Sequence, residues 1–260
     1  MRPKQFLRPK IFVKTTLLFF SANALNLSLH ELAHAITAWL LNVPSTLFHF
    51  YADIDQNEAT VSDQVIIAAS GPVFSLLAGG SSWIFYERSN TITAKLFLFY
   101  AAIFGISTFF GNLFSTALAG DFSKVTRLLH FPESLKYFIS GLGILALISF
   151  MFVAGRKFLI IGLSEEQQKT LTTINGLAIP WLLGTGLLIL AYTPLPPHSV
   201  TDIVASSVFW SFSIIGAATG KLAAQTIHFS KVSVSIMDIV LFFMSVVIVR
   251  ILALGIHFNP

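Results

Sequence analysis

Residues 11–41 read IFVKTTLLFFSANALNLSLHELAHAITAWLL. The stretch is apolar almost throughout, and a helix crossing the hydrocarbon core of a bilayer needs ~20 such residues. It is too long for the apolar region of a secretory leader, and no small-residue cleavage site stands out, so it is expected to stay in the membrane. Either one long tilted helix or two consecutive pieces would accommodate it. Asn42, Val43 and Pro44 follow and should stop the helix. Within the run stand His30, Glu31 and His34, three ionisable side chains in five positions.

The rest of the chain has the same character. Of 260 residues, 55% are hydrophobic and 11% are charged, the mean hydropathy is +0.78, and Phe occurs 26 times. Soluble domains carry about 25% charged residues, so there is too little charge here to cover a water-soluble globule. A disordered chain is excluded because it lacks apolar residues to bury. The fold class is therefore all-α: a polytopic transmembrane bundle of about six or seven helices. There is no Cys, which removes disulfides, thiolate clusters and a cysteine nucleophile. Any metal must be held by His and carboxylate. The net charge of +4 sits mainly in loops and tails and reads as membrane topology, with the lipid bilayer as partner and no nucleic acid.

Further apolar segments lie at about 65–86, 96–119, 137–162, 174–194, 203–220 and 233–256. Between the 11–41 stretch and the 65–86 segment, Leu47-Phe48-His49-Phe50-Tyr51 is rich in strand formers and Asp53, Asp55, Glu58 and Asp63 are acidic. A short membrane-associated β-hairpin near 47–60 fits that pattern. Orientation follows Lys and Arg. Arg2, Lys4, Arg8, Lys10 and Lys14 favour a cytoplasmic N-terminus, the 42–64 loop has no basic residue, and Arg88, Lys95, Arg156, Lys157 and Lys169 suit the inside. Lys124, Arg127 and Lys136 break the alternation.

Ionisable groups in a bilayer are costly and mark sites. His30 and His34 are four apart, which puts both rings on one face of a helix. With Glu31 they form the H-E-x-x-H pattern, two imidazole ligands for zinc and a carboxylate for the attacking water. A catalytic zinc usually takes three protein ligands. The third could come from Asp121, His49, His130, His198, His228, His257 or Asp238. Asp121 ends the third apolar run and reads equally as the N-cap of a helix beginning at Phe122. The five other histidines fall in or near loops, where solvent-facing positions are expected. Asp238 reads as a helix cap or interface residue, and Arg250 as a snorkelling side chain.

Three segments, in order, resemble the site-2 protease family of intramembrane zinc metalloproteases. His30-Glu31-Leu32-Ala33-His34 looks like the family's first zinc motif. Ala69-Ser70-Gly71-Pro72-Val73-Phe74-Ser75 looks like its Gly-Pro segment, with Ser75 where Asn is often found. Asn112-Leu113-Phe114 through Gly120-Asp121 looks like its Asn-Leu-x-Pro…Asp-Gly motif. There Ser115 replaces Pro, and the order is Gly-Asp rather than Asp-Gly. The resemblance covers residues 22–128 and implies a catalytic transmembrane core in 1–128, with additional helices of unassigned role in 129–260. It implies one Zn2+ per chain on His30, His34 and Asp121. Glu31 would be the general base, and Asn112, Gly71 and Pro72 would position the substrate.

The function implied is hydrolysis of peptide bonds in membrane-spanning substrates by an integral multi-pass protein, expected in a bacterial cytoplasmic membrane. The 47–52 segment could pair with an extended substrate by β-addition. Two other classes share the residue pattern: a transporter or ion relay, and an inactive scaffold of the same fold. No inverted repeat of the kind transporters carry is visible.

Overall fold

In the computed structural model, which describes residues 9–161, 172–193, 197–220 and 232–260, the first apolar stretch is one helix. This is α1 (Pro9–Leu40), 32 residues long and so about 48 Å at ~1.5 Å per residue. It ends where Asn42 takes a left-handed conformation (φ 59°), as a helix C-terminus commonly does. The chain then forms β1 (Ser45–Leu47) and β2 (Ala52–Ile54). Thr60 and Asp63 make a reciprocal capping box that starts α2 (Val61–Arg88). Thr91 caps α3 (Ile92–Phe114) by accepting from the Ala94 amide. A 3-10 turn, Ser115–Ala117, leads to the short α4 (Asp121–Leu128), and α5 (Glu133–Phe158) follows.

The remaining helices are α6 (Ile179–Tyr192), α7 (Pro197–Thr219) and α8 (Ile236–Leu252), and α8 leads into β3 (Ile256–Phe258). Among the described residues, five helical segments are long and apolar enough to cross a membrane: α1, α2, α3 with its 3-10 turn, α5, and α6 with the π turn before it. The architecture is helical and that of a membrane protein. Six or seven spans were expected: α7, 23 residues long, lies with its side chains partly outside the described residues, and α8, at 17 residues, reaches only about 26 Å at ~1.5 Å per residue, just short of a ~30 Å hydrocarbon core.

The π turn (Ile174–Ala178) shows how the core satisfies irregular backbone. Pro180 has no amide to offer the preceding turn. Three side chains from three other helices compensate: Thr15 donates to the Asn175 carbonyl at 2.6 Å, Tyr100 to Gly176 at 2.5 Å and Trp210 to Leu177 at 3.1 Å. Non-helical backbone at membrane depth survives only with such partners. An aromatic cluster of Phe19, Phe99, Tyr100, Phe104, Phe158 and Trp210 surrounds this point.

The expected hairpin is present but belongs to a three-stranded sheet, ordered β2-β1-β3. β3 comes from beyond α8 and pairs antiparallel with β1, a connection of about 210 residues that no local pattern announces. One expectation changes as a result. β1 has both edges occupied, so residues 45–47 cannot accept another strand, and only β2 and β3 have free edges.

The alternation of an antiparallel ladder says where the β2 edge points. Phe48 N donates to Tyr51 O at 2.9 Å and Asp55 N to Pro44 O at 3.0 Å. Thr46 and Asp53, midway between those pairs in the register, are therefore the hydrogen-bonded pair. The Ala52 and Ile54 amides face away from β1.

Several ionisable residues sit elsewhere than expected. Lys14 is not part of a basic tail; it is 1% exposed, and its Nζ donates to both Asp238 oxygens at 2.9 and 2.7 Å and to Thr93 at 2.7 Å. Asp238 also completes the capping box with Ser235 at the start of α8, so cap and interface are both correct. Arg250 is exposed, and its Nη1 donates to the Thr193 carbonyl at 2.9 Å. His49 is buried rather than solvent-facing, because the hairpin tip turns inward and its Nε2 bonds the Tyr192 carbonyl at 3.1 Å. His130 and His257 are exposed. His228 and the side chain of His198 lie outside the described residues, as do Arg2, Lys4, Arg8 and Lys169.

Candidate metal centre

α1 carries His30 and His34 toward α2, both 6% exposed. Their Nε2 atoms lie 3.2 Å apart. Asp121 approaches from the first residue of α4, its Oδ2 3.0 Å from His30 Nε2 and 3.5 Å from His34 Nε2. The cap role open to Asp121 in the sequence is taken by Gly120, which has no side chain to bond with. Gly120 adopts φ +98°, ψ −169°, a conformation essentially restricted to glycine. That turn aims the Asp121 carboxylate at the histidines.

The outer nitrogens are held as well. His34 Nδ1 bonds the Ile67 carbonyl at 2.6 Å and His30 Nδ1 bonds Ser75 Oγ at 3.0 Å. A carbonyl can only accept, so His34 carries a proton on Nδ1, which leaves Nε2 as the nitrogen that a metal would take. This arrangement typifies metal-ligating histidines. The three ligand atoms lie within 4.8 Å of one another. A tetrahedral zinc about 2.0–2.1 Å from each ligand needs ligand atoms about 3.3 Å apart, close to the 3.0, 3.2 and 3.5 Å found. The donor set and its spacing therefore fit a metal ion. Burial alone would push the Asp121 carboxyl up, but the hydrogen bonds and charge of His30 and His34 outweigh it and hold it well below the usual carboxylate range.

Gly71 closes the centre from α2. A Cβ there would lie 2.8 Å from His30 Nε2 and closer still to His34 Nε2, so α2 approaches this near only through glycine. Pro72 is buried, and α2 continues through it unbroken. The missing proline amide frees only the carbonyl one turn back, and sixteen further residues of helix, Val73–Arg88, hold the direction. Asn112 lies at the end of α3, its Nδ2 donating to Thr108 O at 3.1 Å. Its Oδ1 faces the Gly120 turn, one residue from Asp121.

Glu31 is half-buried on α1, with its carboxylate in hydrogen-bonding reach of the Ala52 amide. The residue beside the ligand pair thus touches the free edge of β2. Two contributors escaped the sequence. Ser75, which appeared only as a departure from the Gly-Pro motif, orients His30; its position one helical turn after Gly71 was the available signal. Tyr192, buried at the end of α6, donates to the Ala24 carbonyl at 3.3 Å and approaches Ser28 on the Glu31 side of α1. No sequence pattern marks it. Among the described residues, none of the other histidines considered as third ligand joins the centre.

No protein-family model, no curated protein and no solved structure matches the chain.

Proposed function

We propose that the protein is an intramembrane zinc metalloprotease that hydrolyses peptide bonds in membrane-spanning substrates. The observation that carries the reading is the convergence of His30 Nε2, His34 Nε2 and Asp121 Oδ2 within one coordination radius, with Glu31 next to His30 in the chain. Zinc held by these three residues would polarise the scissile carbonyl and acidify the attacking water.

The chain's own residues do the rest. The Nδ1 bonds to Ile67 and Ser75 keep both imidazoles aimed. Glu31 takes the proton of the attacking water on its carboxylate and returns it to the leaving amine. Asn112 would donate to the substrate carbonyl or the developing oxyanion through the Nδ2 hydrogen that it does not give to Thr108. Gly71 lets α2 approach the two histidines closely, and Gly71 and Pro72 together would form the wall against which the substrate is positioned. A transmembrane helix keeps its peptide groups bonded to itself, so the substrate must unwind before it is cut. The outer edge of β2, where the Ile54 amide points outward and Glu31 engages the Ala52 amide, would offer an extended segment a strand to pair with beside Glu31.

The test compares wild type with Glu31→Gln in detergent micelles, measuring bound zinc and cleavage of transmembrane peptides. About one zinc per chain in both, with cleavage only in the wild type, is the expected result. Absence of zinc from the wild type refutes the reading. Zinc without cleavage by the wild type points instead to the inactive scaffold.

A further inference from the structure

The buried pair Lys14–Asp238 lies far from the metal centre and takes no part in the chemistry above. Sixteen residues of α1 separate Lys14 from His30, about 24 Å at ~1.5 Å per residue. The two side chains are 1% and 0% exposed. Thr93 at the start of α3 bonds both ions, and the Ser235 amide donates to Asp238 at 2.6 Å. Four polar groups from three helix starts are thus mutually satisfied where no water competes.

The same spacing repeats along both helices. Seven residues on from Lys14 stands Ser21 and seven further Ser28; seven on from Asp238 stands Ser245 and seven further Leu252. All are buried, Ser21 and Ser245 at 0% exposure. A seven-residue repeat keeps a stripe facing a partner helix. Phe20 meets Phe242 at 4.9 Å, and Leu252 joins Ala35 and Leu47 in one cluster. Helices α1 and α8 therefore run parallel along this seam, with Ser21, Ser28 and Ser245 buried among the apolar contacts. Past Leu252 the chain turns at Gly255 and becomes β3, whose Phe258 packs against the same cluster of Ala35, Leu47 and Leu252 as Leu32 of the H-E-x-x-H segment.

A greasy seam of this kind specifies axial position poorly, since a one-turn slip still buries apolar surface. A single buried polar pair specifies it well, which is the best-attested use of such pairs. We infer that Lys14 and Asp238 are a positioning pair that sets the register of α8 on α1, and through it the seat of β3 on β1 beside the metal-binding helix. A slip of one turn, about 5.4 Å, would carry β3 past β1 by between one and two residues at ~3.4 Å each and undo its pairing.

The absence of cysteine gives a direct test that needs neither metal nor activity, so it stands apart from the protease reading. Thr46 and His257 are opposed in β1 and β3. Because Thr46 bonds toward β2, they form a non-hydrogen-bonded pair, with Cα atoms about 4.5 Å apart, a span a disulfide bridges. Full-length protein carrying Thr46→Cys and His257→Cys in lipid nanodiscs should cross-link almost completely on mild oxidation. Adding Lys14→Met with Asp238→Asn removes both charges and retains an acceptor for the Ser235 amide. The expected result is a folded protein in which the 46–257 cross-link is largely lost. A folded variant that cross-links like its parent overturns the inference. Should the variant not fold, Thr93→Val, which removes only the hydroxyl shared by the two ions, is read in the same way: reduced cross-linking supports the pair's positioning role, and undiminished cross-linking refutes it.

Discussion

Gly71→Ala separates metal binding from folding in a single methyl group. Inside a helix the change should stabilise the fold by about 0.5–1 kcal/mol, because glycine is the poorer helix former. At this position the new Cβ would stand 2.8 Å from His30 Nε2 and 2.6 Å from His34 Cε1. Comfortable contact between such atoms needs about 3.5–4.0 Å, so the rings must move by roughly 1 Å. Ligand distances tolerate only about ±0.2 Å. The expected loss is therefore at least that of disturbing a supporting hydrogen bond, about 10–100-fold in metal affinity, or about 1.4–2.8 kcal/mol. Gly80, on the same helix, has nothing within 4 Å of a built Cβ and is the matched control. Zinc affinity is measured by chelator competition in micelles, and Tm in the presence of EDTA. Gly80→Ala should keep wild-type affinity, Gly71→Ala should lose it, and neither should lower Tm by more than a few degrees. Equal zinc affinity in the two variants would mean that the histidines do not bind a metal beside Gly71, and the candidate centre would fail with it.

Two other expectations follow from named contacts. Asp121→Ala should leave the helical content unchanged by circular dichroism while zinc retained after gel filtration falls well below one per chain; undiminished zinc would remove Asp121 from the ligand set. Burial lowers the pKa of His49, the bond to the Tyr192 carbonyl opposes this, and the nearby Arg250 charge lowers it again. Because the folded chain prefers neutral His49, its contribution is present above the ordinary value of 6.5 and is lost as pH falls through and below it. The Tm of the metal-free wild type should therefore drop more between pH 7 and pH 5 than that of His49→Phe, and identical drops in the two proteins would refute this account.

What was legible in the sequence is what local chemistry determines. The spacing of His30 and His34 on a helix, the stop at Asn42, the strand-rich 47–51 segment and the placement of the apolar helices all follow from neighbours within a few residues. The site was legible as far as motifs extend: Asp121 joins the two histidines, and Gly71 lies against them. Ser75 was visible only as a deviation, because its role depends on α2 facing α1. Asn112 lies with its Oδ1 toward the Gly120 turn that precedes Asp121. The hidden features are those in which distant parts of the chain meet. His49 read as a loop histidine because nothing local says that the hairpin tip folds inward against Tyr192. The 47–52 segment read as open to an added strand along its whole length because the second partner of β1 lies some 210 residues on.

Lys14 shows the limit in its sharpest form. As one of five basic residues near the N-terminus it reads as a topology signal, and the charge rule gives no reason to set it apart. Its partner stands 224 positions away, at a helix start where an acid reads as a cap. Each residue has an adequate local explanation, and both explanations are incomplete. The shared seven-residue spacing of Lys14, Ser21 and Ser28 with Asp238, Ser245 and Leu252 was present in the chain throughout. It becomes meaningful only when α1 and α8 are known to run side by side. The helix that carries the metal ligands then has two faces with different tasks. His30 and His34 look toward α2 and Asp121, while the seam from Lys14 to Ser28 holds the helix that delivers β3. A change on the second face should thus disturb the sheet at Glu31 and leave metal affinity intact, whereas a change at Gly71 should do the reverse.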